Sequence, residues 1–158
     1  SLVGSEMCIR DSYSAMHQAP SIRMSNYYED VNGNEQLRPM ERADFENCII
    51  YGKIESEIGV EESENTTFNY KFNNCLIKLI ESEYDISNTT HFSNNIINEN
   101  PEFIQTMDLF EYNYELDTLS AAQNSAASNI ALQFEYDLNG NYRFTDGSPD
   151  IGAYERIE

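Results

Sequence analysis

The sequence predicts an all-β fold in which short strands stack in parallel, coil upon coil. Three observations predict it. A six-residue motif occurs three times: Phe45-Glu46-Asn47-Cys48-Ile49-Ile50, Phe72-Asn73-Asn74-Cys75-Leu76-Ile77 and Phe92-Ser93-Asn94-Asn95-Ile96-Ile97 share F-x-N-[CN]-[IL]-I. The copies begin 27 and then 20 residues apart, so the motif keeps its place while the remainder varies in length, as loops do. The chain also holds 11 Tyr, 8 Phe and many Ile without any sustained 3.6-residue apolar period, which favours strands over helices.

Taken in order, Ser1 to Ser12 (SLVGSEMCIRDS) match the in-frame translation of a transposase adapter used in DNA library preparation. They are expected to be foreign, with native sequence starting near Tyr13 and the chain truncated on its N-terminal side. Ile22-Arg23-Met24-Ser25-Asn26 is a weaker candidate for a further copy of the repeat. Asp30-Val31-Asn32-Gly33-Asn34 follows, and Asp137-Leu138-Asn139-Gly140-Asn141 repeats its D-x-N-G-N pattern. Alternating oxygen ligands at Asp30, Asn32 and Asn34, or at Asp137, Asn139 and Asn141, could hold calcium. An EF-hand loop, however, needs Gly at its sixth position and Glu at its twelfth, and neither stretch supplies both. Asn-Gly is a strong hairpin-turn signal, so turns are the expected reading.

In the three repeats, coils one strand spacing apart, roughly 4.8 Å, would put like on like: Phe on Phe, Asn47 on Asn74 on Asn94, and Cys48 on Cys75 beside Asn95. Asn suits a bend because it tolerates left-handed backbone angles. Cys48 and Cys75 are expected as small buried packing residues, the alternative being a disulfide between adjacent coils. Glu55, Glu57, Glu61, Glu62 and Glu64, between the first two copies, read as a solvated acidic loop. Tyr27-Tyr28 and Tyr112/Tyr114 are expected as ordinary strand aromatics, the alternative being a sugar-stacking platform; alternation places Tyr112 and Tyr114 on one strand face. Ser148-Pro149 interrupts the strand pattern, and Ile151, Ala153 and Tyr154 could cover the apolar interior of the last coil. Residues 13–118 are thus assigned to coils and 119–158 to a capping segment. An uncovered first coil would make the chain prone to self-association.

Nine basic against 28 acidic residues give a net charge of −19, and excising the first twelve residues changes this by one unit. Such a field disfavours nucleic acid and repels anionic polysaccharides unless a divalent cation bridges the two. No apolar run approaches the length of a transmembrane helix. Cysteine and histidine spacings suggest no zinc site, and no other cofactor is implied. His17 and His91 are isolated, no Ser/His/Asp arrangement or phosphate loop is present, and no adjacent Asp-Asp pair occurs. No catalytic residue is assigned.

Asp137-Leu138-Asn139-Gly140-Asn141 followed by Ser148-Pro149-Asp150-Ile151-Gly152-Ala153-Tyr154-Glu155 resembles the closing segment of right-handed β-helix repeat ("choice-of-anchor") proteins common on Bacteroidetes surfaces. Asn100-Pro101-Glu102-Phe103-Ile104 and Leu116-Asp117-Thr118-Leu119-Ser120 fit the stretch leading into that ending. Ala121, Tyr142 and Gln123-Asn124-Ser125 depart from it at turn positions. The resemblance implies a right-handed parallel β-helix, its C-terminal coils plus cap, on a secreted or outer-membrane protein. It implies a non-catalytic scaffold for adhesion or contact with polysaccharides and surface glycans. The alternative is the end of a polysaccharide lyase or glycoside hydrolase whose active site lies on upstream coils. The scarcity of basic residues argues against a lyase groove for anionic sugars.

Overall fold

The computed structural model describes residues 8–9, 19–105 and 113–157. Among these residues the chain is all-β: its helical content is one α-helical turn, α1 (Ser128–Ala131), and one 3-10 turn at Glu81–Glu83. The strands are short: β1 (Cys8–Ile9), β2 (Ile22–Ser25), β3 (Tyr27–Glu29), β4 (Glu35–Leu37), β5 (Met40–Glu46), β6 (Ile49–Ile50), β7 (Ile58–Glu61), β8 (Phe68–Asn73), β9 (Leu76–Ile77), β10 (Phe92–Ser93), β11 (Ile96–Ile97), β12 (Phe103–Gln105) and β13 (Asn113–Leu116). No described helix is long and apolar enough to cross a membrane.

The three motif copies pair in parallel, each position on its equivalent. Phe45 lies opposite Phe72, and Phe72 opposite Phe92, in a sheet ordered β5-β8-β10. Ile49, Leu76 and Ile96 align likewise in the sheet β1-β6-β9-β11, as do Ile50, Ile77 and Ile97. The Phe rings stack with centroids 4.8 Å and 5.6 Å apart and planes only 14° and 17° off parallel. Between its Phe strand and its Ile strand, each copy bends at Asn. Asn47, Asn74 and Asn94 all take left-handed angles, at φ 52, 51 and 54. Asn bears that conformation at lower cost than other residues carrying a Cβ, which explains its recurrence. The outer edge of β6 pairs with Cys8–Ile9, from the segment expected to be foreign. Edge pairing uses only backbone groups, so it is open to any strand.

Both apolar residues of each [IL]-I pair are needed because each sheet face is covered. Ile50 and Ile77 pack with Phe45, Phe72, Phe92, Cys48 and Cys75 in one core. Ile49 and Leu76 point the other way, into a second core with Leu116, Ala122 and Ile151. A strand buried on both faces reads as a continuous apolar run. Each such side chain contributes up to about 1.5–3 kcal/mol by leaving water.

Two expectations are corrected here. Ile151 does not join the Phe-lined core: the segment after residue 119 lies along the flank of the parallel sheet, over Ile49 and Leu76. Asn47 and Asn74 fasten it there. Ala127 N–H donates to Asn47 Oδ1 (2.7 Å), Asn47 Nδ2 donates to the Ala127 carbonyl (3.2 Å), and Asn74 Nδ2 donates to the Ser125 carbonyl (3.2 Å). Ile22–Asn26 is likewise not a further copy in the ladder. Its strand β2 pairs in parallel with β7, Ile22 opposite Ile58 and Met24 opposite Val60. Asn26 is fully buried and fastens a loop, accepting from Ser63 N–H (2.7 Å) and donating to the Ser63 carbonyl (2.8 Å).

Candidate ligand-contact surfaces

The ladder residues are structural in their contacts. Cys48 and Cys75 are buried and not joined in a disulfide, and Cys75 Sγ lies 3.3 Å from the Phe45 carbonyl. Burial, reinforced by the neighbouring Cys48, pushes the Cys75 thiol pKa well up. In the third copy Asn95 replaces the thiol. Its amide accepts from Cys75 N–H (2.9 Å) and donates to the Phe72 carbonyl (3.0 Å).

Both D-x-N-G-N stretches form the same turn. Asp30 N–H donates to the Asn34 carbonyl and Gly33 N–H to the Asp30 carbonyl, both at 2.9 Å. The equivalent bonds at Asp137 are 2.9 Å from its own N–H to the Asn141 carbonyl and 3.1 Å from Gly140 N–H. Gly33 and Gly140 take φ +80 and +83, angles that glycine adopts without strain. The carboxylates face inward over these turns. Asp30 Oδ1 accepts from Asn32 and Asn34 N–H, each at 2.9 Å, and these bonds lower its pKa. Asp137 accepts from Asn141 N–H (2.7 Å) and Glu155 N–H (2.9 Å). Asn34 and Asn141 turn their amides onto the same carboxylates, while Asn139 donates to Glu115 (2.5 Å). Among the described residues no group of three or more His, Cys, Asp or Glu is arranged to hold a metal ion.

Of the aromatic candidates, Tyr112 lies outside the described residues, and Tyr114 meets Phe103 edge-on at 5.4 Å. Tyr27 and Tyr28 stand at the stem of the first D-x-N-G-N hairpin, where β3 pairs with β4. With Arg23, Ser25, Glu29 and Glu61 they line an open groove of about 540 Å³. Arg23 is ion-paired with Glu61, and Arg38 sits 4.9 Å from the Tyr28 ring centroid while donating to its hydroxyl (3.1 Å). His91 stacks on Tyr70 at 4.0 Å, with Nδ1 2.9 Å from the Tyr70 carbonyl; His17 lies outside the described residues. The acidic run is not uniformly solvated. Glu57 is fully buried, accepting from the Ser21 hydroxyl (2.5 Å) and Ile54 N–H (3.3 Å).

Two groupings escaped the sequence reading. One is a buried network under the second hairpin. Arg143, fully buried, donates to the Gly152 carbonyl (3.1 Å) and lies 3.5 Å from Glu155. Asp150 accepts from Asn124 N–H (2.7 Å) and Arg156 N–H (2.8 Å), and its own N–H donates to Glu155 (3.1 Å). Burial raises the pKa of Asp150 and pushes that of Glu155 to about 8, despite the opposing pull of Arg143. The other grouping is aromatic. Tyr136 and Tyr142 bridge across the second turn, their ring centroids 5.7 Å apart, and Phe144 continues the row another 5.7 Å on. Tyr136 is 62% and Tyr142 42% exposed. The detectable signal was the placing of these aromatics on both sides of an Asn-Gly turn. No family model, curated protein or solved structure matches this chain.

Proposed function

We propose that this chain belongs to a right-handed parallel β-helix scaffold of the bacterial surface type that its SPDIGAYE segment resembles. In this reading it is secreted or displayed on the outer membrane, and it contacts glycans without chemically altering them. The observation that carries the scaffold reading is the like-on-like parallel register of the three F-x-N copies, down to the left-handed Asn in each. That is the arrangement stacked coils require.

The contact surfaces in this reading are the two tyrosine-bearing D-x-N-G-N hairpins, whose exposed rings offer flat apolar faces beside polar groups. The non-catalytic part rests on what the buried acids do. Glu57, Asp137, Asp150 and Glu155 each accept a backbone N–H and thereby hold loops in place. The test is incubation of the full chain with neutral and acidic polysaccharides, scoring both retention in affinity gels and release of reducing ends or unsaturated products. Retention without product is expected. Product release would replace this reading with that of a glycan-degrading enzyme.

A further inference from the structure

We infer that the row Tyr136–Tyr142–Phe144, its two tyrosines exposed and its phenylalanine half-buried, is a binding platform for a single, soluble chain of neutral pyranoses. The inference rests on the glycan-contact reading and names the ligand class of one of its two hairpins.

Ring geometry supplies the first argument. Three rings follow one another at equal 5.7 Å centroid spacing, so adjacent sugar rings of one chain could meet adjacent side chains. Each ring is turned from the last, by 57° and then 52°. A flat crystalline surface cannot lie face-on against two adjacent rings so inclined, whereas a free chain can twist to follow them. The other hairpin is less open to stacking, because Arg38 already lies against the Tyr28 ring.

Charge supplies the second argument. Arg143 is the one base between residues 132 and 147, and it is fully buried against Glu155. The charged side chains this stretch exposes are Glu135 and Asp146, both acidic. Arg156 meets Asp146 and Asp150 in one hollow and Glu115, Asp117 and Glu155 beside Asn141 in another, so carboxylates accompany it in both. A uronate chain laid on the rings would therefore meet carboxylates of its own sign, while a neutral chain would not. Asn139, Asn141 and Thr145 already donate to Glu115, Asp137 and the Tyr142 carbonyl, so the rings themselves supply the contact.

The experiment is affinity electrophoresis of the full chain through hydroxyethylcellulose, soluble glucomannan, arabinoxylan and polygalacturonate, with sedimentation on microcrystalline cellulose and size-exclusion chromatography alongside. Expected is retardation by at least one neutral soluble chain. Tyr136→Ala should weaken it roughly tenfold, the scale of one aromatic contact, while Tyr142→Phe, which keeps the ring, leaves it in place. Retardation that ignores Tyr136→Ala but disappears in Tyr28→Ala would overturn the platform and leave glycan contact standing. Preference for polygalacturonate or the crystalline surface would overturn the ligand class alone. A dimer lost in Tyr136→Ala would make the face a self-contact and overturn the inference. Retention by none of the glycans would overturn it together with the reading beneath it.

Discussion

Asn47 and Ala127, 80 residues apart, exchange a reciprocal pair of hydrogen bonds through the Asn47 side-chain amide (2.7 and 3.2 Å). One residue thus performs two tasks: its backbone turns the corner between β5 and β6, and its side chain anchors the flanking segment. Asn74 repeats the arrangement with one bond to Ser125, and Asn94, more exposed, makes no such bond among the described residues. Alanine should therefore hurt in a graded order. Asn47→Ala loses both the left-handed tolerance and two part-buried bonds, costing about 2–4 kcal/mol. Asn74→Ala should cost less and Asn94→Ala least. Urea midpoints of the three variants check the order, and equal losses would reduce the ladder to its backbone role.

Phe72 is the middle ring of the stack, fully buried between Phe45 and Phe92. Its removal leaves a cavity with packed rings on both sides and no solvent-facing side from which to collapse. Phe72→Ala should cost about 3–5 kcal/mol. Phe92→Ala, at the outer position, should cost visibly less by the same denaturation measurement.

What was legible in the sequence follows from the same physics. Stacking like on like makes a three-dimensional relationship recur along the chain, so Phe45, Phe72 and Phe92 could be aligned by eye. The Asn-Gly turns were legible because they need only local backbone chemistry. The Arg143–Glu155–Asp150 network was not, since nothing local marks which of 28 acids will be buried. Glu57 sits among exposed glutamates and differs from them only by what folds over it. The side on which Ile151 packs was hidden too, although the doubled [IL]-I pair hinted that both sheet faces are covered.

Cys48 and Cys75 have essentially no accessible surface, and burial raises the Cys75 thiol pKa, so little of the reactive thiolate forms near neutral pH. In Cys8→Ser protein, a disulfide-exchange reagent such as dithionitrobenzoate should titrate no thiol under native conditions and two after unfolding in urea. Rapid native reaction would show that the ladder opens locally.

Burial raises the pKa of Glu155 to about 8 and also raises that of Asp150, each above its ordinary carboxyl value. The folded chain therefore keeps protons that the unfolded chain releases. The stability this contributes is fully present below the ordinary carboxyl pKa and declines as pH rises to about 8. Thermal midpoints should fall from pH 5 to pH 8.5, and Glu155→Gln, which cannot ionise, should flatten that fall. An unchanged slope in the variant would assign the pH dependence to other groups.

Gly52 is the close neighbour of buried Glu57. A Cβ at Gly52 would stand 2.1 Å from Glu57 Oε1 and 2.7 Å from its Cδ, too near for either to remain. The glutamate cannot simply swing aside, because Ser21 and Ile54 hold it on the same carboxylate. Gly52→Ala should destabilise by about 1–3 kcal/mol, the usual range for overpacking. If the carboxylate is the obstacle, the penalty should largely disappear in a Glu57→Ala background, making the double-mutant cycle strongly non-additive. Additive losses would place the constraint in the Gly52 backbone, and the close approach to Glu57 would then be a consequence of the local turn, not the reason glycine is required.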